Sequence, residues 1–208
     1  MDPFIGSANE GQTFPGALRP FGMVSVSPHT SPTNAVTYLR ERSASGYLNG
    51  RERVYGLGFT HLSGAACPEF GAPVIGPARA VTGSGDDYVT TLGEQVAFPG
   101  YYAADLPDLG ALVEATATER TGLLRVHFDA GEAPHILVDV GRSLSWMGRA
   151  GDVHVVSPRE IEGRVAFGGY CASGNGGDVY FVARVDRAPA ATGTWQDGGV
   201  RSDPRAEG

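Results

Sequence analysis

The sequence has no lysine, only two cysteines and no long hydrophobic run. All 16 basic residues are arginine, which we interpret as the genomic composition of a GC-rich source. No stretch is long and apolar enough to cross a bilayer. A formal net charge of −7 argues against the backbone of a nucleic acid or an anionic membrane as a binding partner. We therefore expect neither a nucleic acid nor a membrane among its partners.

Several common catalytic motifs are also missing. Gly83-Ser84-Gly85 is not followed by Gly-Lys-Ser/Thr, which excludes a P-loop. Ser63-Gly64 does not lie in the GxSxG frame of hydrolases. The histidine spacings give no HExxH pattern, so a zinc site has little support. No two carboxylates are marked as an acid and base pair flanking one bond. We predict no catalytic residue, no metal ligand and no cofactor in this chain.

The two cysteines, Cys67 and Cys171, do not fix a cellular compartment by themselves. They would be able to form a disulfide bond if the protein is exported. The alternative is that both are free and buried. No basic segment followed by an apolar segment opens the chain, so we expect no signal peptide within these residues.

The composition favours one globular domain rich in turns. A length of 208 residues fits a single all-β domain, and 41% hydrophobic with 19% charged residues is globular rather than disordered. The 31 glycines and 14 prolines favour many turns and few long helices. We therefore expect less than a fifth of the chain in α-helix.

Short runs of alternating apolar and polar residues predict β-strands. Leu124, Val126 and Phe128 share one face of such a run, while Arg125 and His127 lie on the other. The pattern is typical of an all-β, antiparallel β-sandwich. The predicted strands are Met23–Ser27, Leu112–Thr118, Leu123–Phe128, His135–Val140, Asp152–Ser157, Ile161–Phe167 and Asp178–Val185.

Turn residues define two further features of the organisation. Glu119-Arg120-Thr121-Gly122 predicts a hairpin, in which Arg120 pairs with Glu119 or Glu114. Residues 188–208 are rich in Gly, Pro and Asp, and alternation is lost after Gln196. We therefore expect a β-sandwich domain over residues 1–187. The tail over residues 188–208 is either a disordered end or a point where a longer protein has been cut, and the second is favoured.

Two loop-rich stretches, Gly11–Thr30 and Val54–Gly71, carry the best candidates for a binding site. Both set aromatic, histidine and hydroxyl side chains among glycines and prolines. Sugars need hydrogen-bonding groups for their hydroxyls and apolar faces for their C–H surfaces. The alternative is that Phe14 and Phe59 are core residues and that His61 bonds a backbone carbonyl. The predicted substrate-binding residues are Gln12, Phe14, Tyr47, Thr60, His61, Ser63 and Glu69.

A series of short motifs resembles the opening of the glycoside hydrolase family 92 α-mannosidases. No single motif is specific, but their order along the chain agrees with the family. They cover the chain from about Asp2 to Trp195. The motifs are Asp2–Gly6, Gly11–Ala17, Pro20–Val24, Ser45–Tyr47, Gly58–Gly64, Pro99–Tyr102, Glu114–Gly122, the strand ending in Asp139, Gly168–Cys171 and Val179–Phe181.

The resemblance implies half of an enzyme. Members of that family are exo-acting α-mannosidases, many of them calcium-dependent and inverting. They join an N-terminal sandwich of the galactose-mutarotase-like type to a C-terminal (α/α)6 barrel, which carries most of the catalytic groups and calcium ligands. This chain corresponds to most of the sandwich, with an incomplete C-terminal end. The resemblance thus implies a mannose-containing glycan as substrate, calcium in the complete enzyme, and a secreted, periplasmic or cell-surface location.

Two positions depart from the family pattern. Gln12 replaces the usual histidine before Thr-Phe-Pro-Gly, and Ala72 replaces the usual aspartate after the HLSG loop. Gln12 can still donate and accept hydrogen bonds but carries no charge. These changes affect the details of sugar binding rather than the fold.

Three functions remain open from the sequence. The chain is the N-terminal domain of a secreted exo-α-1,2-mannosidase-type enzyme, a stand-alone carbohydrate-binding module, or a structural β-sandwich without a ligand. The first is favoured because the tail shows no closing strand. If a catalytic domain is missing, an exposed docking face should promote self-association of the isolated chain.

Overall fold

The computed structural model describes residues 1–9, 11–31, 43–64, 67–84, 87, 89–131, 134–144, 151–169, 173–196, 198–202 and 204–207. Nearly all regular structure in them is β-strand, together with a 3-10 helix at Pro107–Leu109. No helix formed by these residues is long and apolar enough to span a membrane. The all-β, antiparallel sandwich expected from the alternating pattern is confirmed.

The strands are short, and many are only two to five residues long. In chain order they are β1 Ala17–Leu18, β2 Ser25–Pro28, β3 Arg53–Val54, β4 Leu57–Gly58, β5 Val74–Ala78, β6 Thr90–Thr91, β7 Gln95–Phe98, β8 Tyr101–Leu106, β9 Ala111–Ala117, β10 Gly122–Phe128, β11 His135–Asp139, β12 Gly151–Ser157, β13 Glu160–Gly168, β14 Gly176–Arg184, β15 Thr194–Gln196, β16 Gly199–Arg201 and β17 Arg205–Glu207.

Three main sheets organise the domain. The first sheet has the order β1-β2-β4-β5-β11, the second β10-β9-β8-β7 and the third β14-β13-β12-β17. The largest core cluster lies between the first and second sheets, because both contribute fully buried side chains to it. Val26 and Leu57 come from the first sheet, and Tyr102 and Val113 come from the second.

The alternating sequence of β9 and β10 explains why the second sheet has one buried and one exposed face. Residues 122–128 pair in register with residues 111–117. Leu124, Val126 and Phe128 pack against the core cluster, while Leu123 on the opposite face is 59% exposed. The predicted orientation of this strand is therefore correct, since a period of two turns every second side chain inward.

The structure contains every strand predicted from alternation, with ends that differ by one or two residues. The expectation that no strand follows Gln196 is wrong. β16 closes a hairpin with β15, and β17 pairs with β12 at the edge of the third sheet. These three-residue strands escape detection because they depend on backbone pairing with a partner strand rather than on an apolar face.

The predicted ion pair of Arg120 does not form among the described residues. The hairpin itself is present, since β9 and β10 pair across it. Glu119 instead lies 3.5 Å from Arg19. Glu114 is contacted by Arg125 and His127 on the neighbouring strand. Both predicted carboxylates therefore have other partners, and for Glu114 these are cross-strand neighbours, which reach it more directly than a turn residue does.

Candidate functional site

Three loop segments that carry six of the seven predicted binding residues, all but Glu69, converge in the structure. These segments are Gly11–Gly16, Ser43–Tyr47 and Thr60–Gly64, and we call them together the loop cluster. The Gly64 N–H donates to the Gln12 carbonyl at 2.7 Å. The Ala44 N–H donates to the Gln12 side-chain carbonyl at 2.5 Å. The Ser45 hydroxyl donates to the Thr13 carbonyl at 3.0 Å. One segment thus binds both of the others through direct hydrogen bonds.

Gln12 organises this convergence through its backbone as well as its side chain. Its φ of 56° lies in the left-handed region, which few residues other than glycine adopt. Its side-chain oxygen also accepts a hydrogen bond from the Ser43 hydroxyl at 3.4 Å. The Gln12 side chain is half-buried, and its oxygen is already hydrogen-bonded within the protein. Its main role is therefore to connect the loops.

His61 of the loop cluster and the neighbouring His29 are both buried. His29 is fully buried and His61 is 5% exposed. Their ring centroids lie 4.8 Å apart in an edge-to-face arrangement, and the Phe14 ring is 5.2 Å from His61. His61 Nδ1 lies 3.3 Å from the Ser25 carbonyl. The contact with a backbone carbonyl agrees with the structural alternative for His61.

Burial holds both imidazoles in their neutral forms. It lowers the pKa of His61 to about 4, and hydrogen bonds to the backbone at Ser25 and Gly58 oppose this only in part. The pKa of His29 is lowered well below its ordinary value, first by burial and then by repulsion from His61 and Arg142. No described residue makes a well-aligned hydrogen bond with either ring nitrogen of His29, although Nε2 faces the Gly71 backbone.

Close backbone contacts make room for the histidine pair. A Cβ at Gly58 would collide with the Gly71 carbonyl and with His29 Nε2. Gly71 has a φ of +73°, and a Cβ there would also meet His29. Glycine is therefore required at Gly58 for space and at Gly71 for both space and backbone conformation.

The remaining predicted residues have distinct environments. The Tyr47 hydroxyl donates to the Gln95 side-chain oxygen at 3.0 Å, and burial raises its pKa to about 12. The Thr60 hydroxyl donates to the Ala72 carbonyl at 2.8 Å and accepts from the Ala72 N–H at 3.1 Å. Glu69 is fully buried, whereas Ser63 is exposed.

Five of the seven predicted substrate-binding side chains are therefore buried within this chain. Buried groups shape and stiffen the loops. The two remaining residues are nearest to solvent: Ser63 is exposed and Gln12 is half-buried. Contact of any of the seven with a sugar stays a prediction. The buried residues are Phe14, Tyr47, Thr60, His61 and Glu69.

A turn that contains an ion pair lies beside the histidines and was not predicted from the sequence. Asp139 ends β11, and its Oδ1 accepts the N–H groups of Gly141 and Arg142 at 2.9 and 3.1 Å. Arg142 Nε lies 3.5 Å from Asp139 Oδ2, and its guanidinium is 5.9 Å from the Tyr55 ring centroid. Burial raises the pKa of Asp139, and the Arg142 charge opposes this. The only sequence signal was an Asp-x-Gly-Arg turn after a strand.

A disulfide bond constrains the chain close to the loop cluster. Cys67 is disulfide-bonded and half-buried. The only other cysteine of the sequence, Cys171, lies outside the described residues. The bonded alternative is therefore the one that the structure supports for Cys67.

We predict that the unreduced, denatured protein contains no thiol that reacts with a chromogenic disulfide reagent. Cys67→Ser should lower the free energy of unfolding by about 2–5 kcal/mol, because a disulfide restricts the unfolded chain. Ser63→Ala, an exposed change in the same loop, should alter it by less than about 0.5 kcal/mol. Urea denaturation measures both. Two reactive thiols without reductant would contradict the prediction.

Comparison with known proteins places this geometry in a family. The profile of the glycosyl hydrolase family 92 N-terminal domain matches residues 1–208. The structure is similar to that of the family GH92 alpha-mannosidase BT3965 from Bacteroides thetaiotaomicron, with a TM-score of 0.85 and 26% identity. The alignment covers 100% of this chain and 29% of that protein. The same enzyme in complex with mannoimidazole gives the same values.

A second solved structure supports the fold. The gh92 family glycosyl hydrolase ccman5 aligns with a TM-score of 0.81 and 24% identity, over 100% of this chain and 28% of its own. No curated protein matches the chain by sequence. The chain thus spans less than a third of the length of the solved proteins that it resembles. This protein chain belongs to glycosyl hydrolase family 92, in which it forms the N-terminal domain.

Proposed function

We propose that this domain supplies one side of the active site of an exo-α-1,2-mannosidase. The catalytic groups would lie in the part of the complete protein beyond this chain. The observation that carries the proposal is the convergence of the loop cluster, whose segments are bonded to one another by Gln12 and Ser45. The similar structures that are described as alpha-mannosidases support the substrate class.

The buried groups would act by holding the loops before the sugar arrives. Thr60 binds both backbone groups of Ala72, and His61 packs between Phe14 and His29. A side that is already ordered loses little conformational freedom when a ligand binds. Ser63 and Gln12 would then present hydroxyl and amide groups to the sugar.

Calcium, which the family resemblance implies, does not fit the residues that the structure describes. They contain no group of three or more His, Cys, Asp or Glu side chains able to hold a metal ion. Calcium usually takes six to eight oxygen ligands. We therefore propose that calcium binds the complete enzyme outside this part of the chain, and we assign it no step here.

A secreted, periplasmic or cell-surface location is part of the same proposal. The bonded state of Cys67 supports it, because disulfide bonds persist mainly in oxidising compartments. Fractionation of the source cells with an antibody to this domain would test it. Recovery of the protein in the cytoplasm would contradict it.

The proposed function predicts that the complete protein releases mannose from α-1,2-mannobiose while the 208-residue chain does not. Hydrolysis of a glycoside normally needs two positioned carboxylates, and the sequence of this chain marks no such pair. In the complete protein, Ser63→Ala should lower kcat/KM by roughly tenfold, the effect of one lost hydrogen bond to the substrate. Chromatographic quantification of mannose measures both effects.

The matched control is Arg159→Ala, on the turn between β12 and β13, where Arg159 Nε donates to the Val185 carbonyl. It should leave kcat/KM unchanged. Mannose release by the purified 208-residue chain would contradict the proposal that the catalytic groups lie outside this chain. An unaltered kcat/KM in Ser63→Ala would remove this residue from the sugar-facing side. A complete protein that binds mannosides without cleaving them would support a carbohydrate-binding module instead.

A further inference from the structure

The outward face of the second sheet carries a connected row of aromatic and charged side chains. Phe98 on β7 and Tyr101 on β8 are register partners. Glu114 on β9 pairs in register with Arg125 on β10, and His127 follows on the same face of β10. We call these five residues the outer stripe. They belong to none of the three segments of the loop cluster.

The two aromatic rings of the outer stripe are stacked. The centroids of Phe98 and Tyr101 lie 4.9 Å apart with an interplanar angle of 11°. Phe98 remains 51% exposed despite this contact. A two-residue turn, Pro99-Gly100, joins their strands, so both rings are held close to the end of a hairpin. The stripe therefore begins with a fixed and solvent-accessible aromatic surface.

Glu114 connects the rings to the charged end of the stripe. The Tyr101 hydroxyl donates to Glu114 Oε1 at 2.7 Å. Arg125 and His127 approach Glu114 Oε2 at 3.4 and 3.1 Å. The hydrogen bonds from Tyr101 and then from His127, together with the Arg125 charge, hold the pKa of Glu114 below its ordinary value. The side chains of Arg125 and His127 nevertheless stay 64% and 57% exposed. The remaining guanidinium N–H groups of Arg125 can donate to a ligand, and because His127 Nε2 faces Glu114, its Nδ1 is left to accept from one.

The distribution of apolar residues on this face fits a sugar better than a protein domain. Leu123 lies at the far edge of the row from Phe98, with Tyr101 and Thr116 between them. Leu112 lies between two polar register partners, Asp105 and His127. Val96, two residues before Phe98 on the same face of β7, is 44% exposed and adjoins the aromatic pair, but polar residues set Leu112 and Leu123 apart from it. The exposed apolar side chains therefore do not form one continuous patch over the face, as a domain interface requires. One exposed aromatic surface beside fixed polar groups suits a pyranose ring.

We propose that the outer stripe binds a neutral, mannose-containing glycan at a site separate from the active site. The choice of mannose rests on the proposed function. The aromatic pair would contact the C–H face of one sugar. Arg125 would donate to a hydroxyl of the next sugar, and His127 Nδ1 would accept from one. Three strand spacings of about 4.8 Å give the stripe a length of about 14 Å, longer than one pyranose ring. The Arg125 charge offsets that of Glu114, which suits an uncharged ligand.

The test is affinity electrophoresis of the 208-residue chain in gels that contain soluble α-linked mannan, with dextran gels as the reference polymer. The wild-type chain should be retarded by mannan only. Phe98→Ala and Arg125→Ala should each weaken retardation by at least about fivefold, while Phe98→Tyr should retain it. Tyr180→Ala is the matched control, because Tyr180 is an aromatic residue 72% exposed on the third sheet. Thermal unfolding of each variant verifies that it is folded.

Three outcomes would overturn the inference. The first is equal migration in mannan and dextran gels. The second is retardation that survives Phe98→Ala but is lost in Ser63→Ala, which would place the sugar at the loop cluster and leave the proposed function intact. The third is a change in oligomeric state on Phe98→Ala without any change in retardation, which would make the face a protein interface. If Phe98→Ala does not fold, Arg125→Ala and Phe98→Tyr still decide between these outcomes.

Discussion

Acidification from pH 7.5 to 4.5 is expected to lower the free energy of unfolding of this domain by at least about 2 kcal/mol. The cause is the buried histidine pair. His61 has a pKa of about 4 when folded, and the pKa of His29 is also lowered. An unfolded histidine titrates near pH 6.5, so the unfolded state binds more protons throughout this interval. The stabilisation is fully present above about pH 6.5 and is lost as the pH falls toward the folded pKa values.

The variant His61→Gln separates this effect from the titration of carboxylates. Its unfolding free energy should fall by about 2 kcal/mol less than that of the wild type between the two pH values. Asp139, whose pKa is raised, contributes in the opposite direction in both proteins and cancels in the comparison. His154→Gln, on β12 of the third sheet, controls for the substitution itself. Urea denaturation at each pH gives the result, and an acid loss in His61→Gln as large as that of the wild type would refute it.

Gly58→Ala is expected to destabilise the domain by about 3 kcal/mol or more. The added methyl would collide with the Gly71 carbonyl and with His29 Nε2. The carbonyl belongs to a neighbouring backbone segment, and the imidazole is fully buried, so neither can move aside at low cost. We expect the histidine pair to be displaced and the loop cluster to open, which urea denaturation and the histidine proton resonances would reveal.

Gly141→Ala provides the matched control. Its added Cβ would lie 3.5 Å from Asp139 Oδ1, an ordinary contact, and its φ is outside the left-handed region. It should therefore change the free energy of unfolding by less than about 1 kcal/mol. If the two substitutions destabilise the domain equally, the loss comes from glycine removal in general and the contact with His29 is not its cause.

The positions of the buried residues explain how a mutation away from solvent would affect the proposed active site. His29 and His61 are buried, yet His61 lies against Gly46 and His29 against Gly71 in the loops. A change in their packing shifts loop backbones rather than removing a ligand contact. Such variants should lower stability together with activity, whereas Ser63→Ala should lower activity alone.

Local pattern determined a large part of this domain. Alternation of apolar and polar residues placed the strands β9 to β14 and the inward face of β10, because a period of two is a property of the chain itself. The order of the short Gly- and Pro-containing motifs indicated the family, which the profile match confirms. The sequence also indicated that the same loops combine polar and aromatic side chains, but it did not give their arrangement.

Strands without an apolar period could only be found in the structure. β5 contains Gly76 and Pro77, and β8 contains two alanines and an aspartate, so neither shows clear alternation. Both are buried by neighbouring strands on each side. β17 depends on its pairing with β12. Their conformation comes from hydrogen bonds to a partner strand, which local sequence does not encode.

Tertiary structure alone decided which site residues are buried and which meet solvent. The sequence leaves open whether His61 is a sugar ligand or a structural histidine, and its burial against His29 follows from the meeting of segments far apart in sequence. The contact of the Arg142 guanidinium with the Tyr55 ring and the contacts of Glu114 likewise join residues that are separated in sequence. Composition gives the chemical character of each side chain, but accessibility and partners arise only when separate loops pack together.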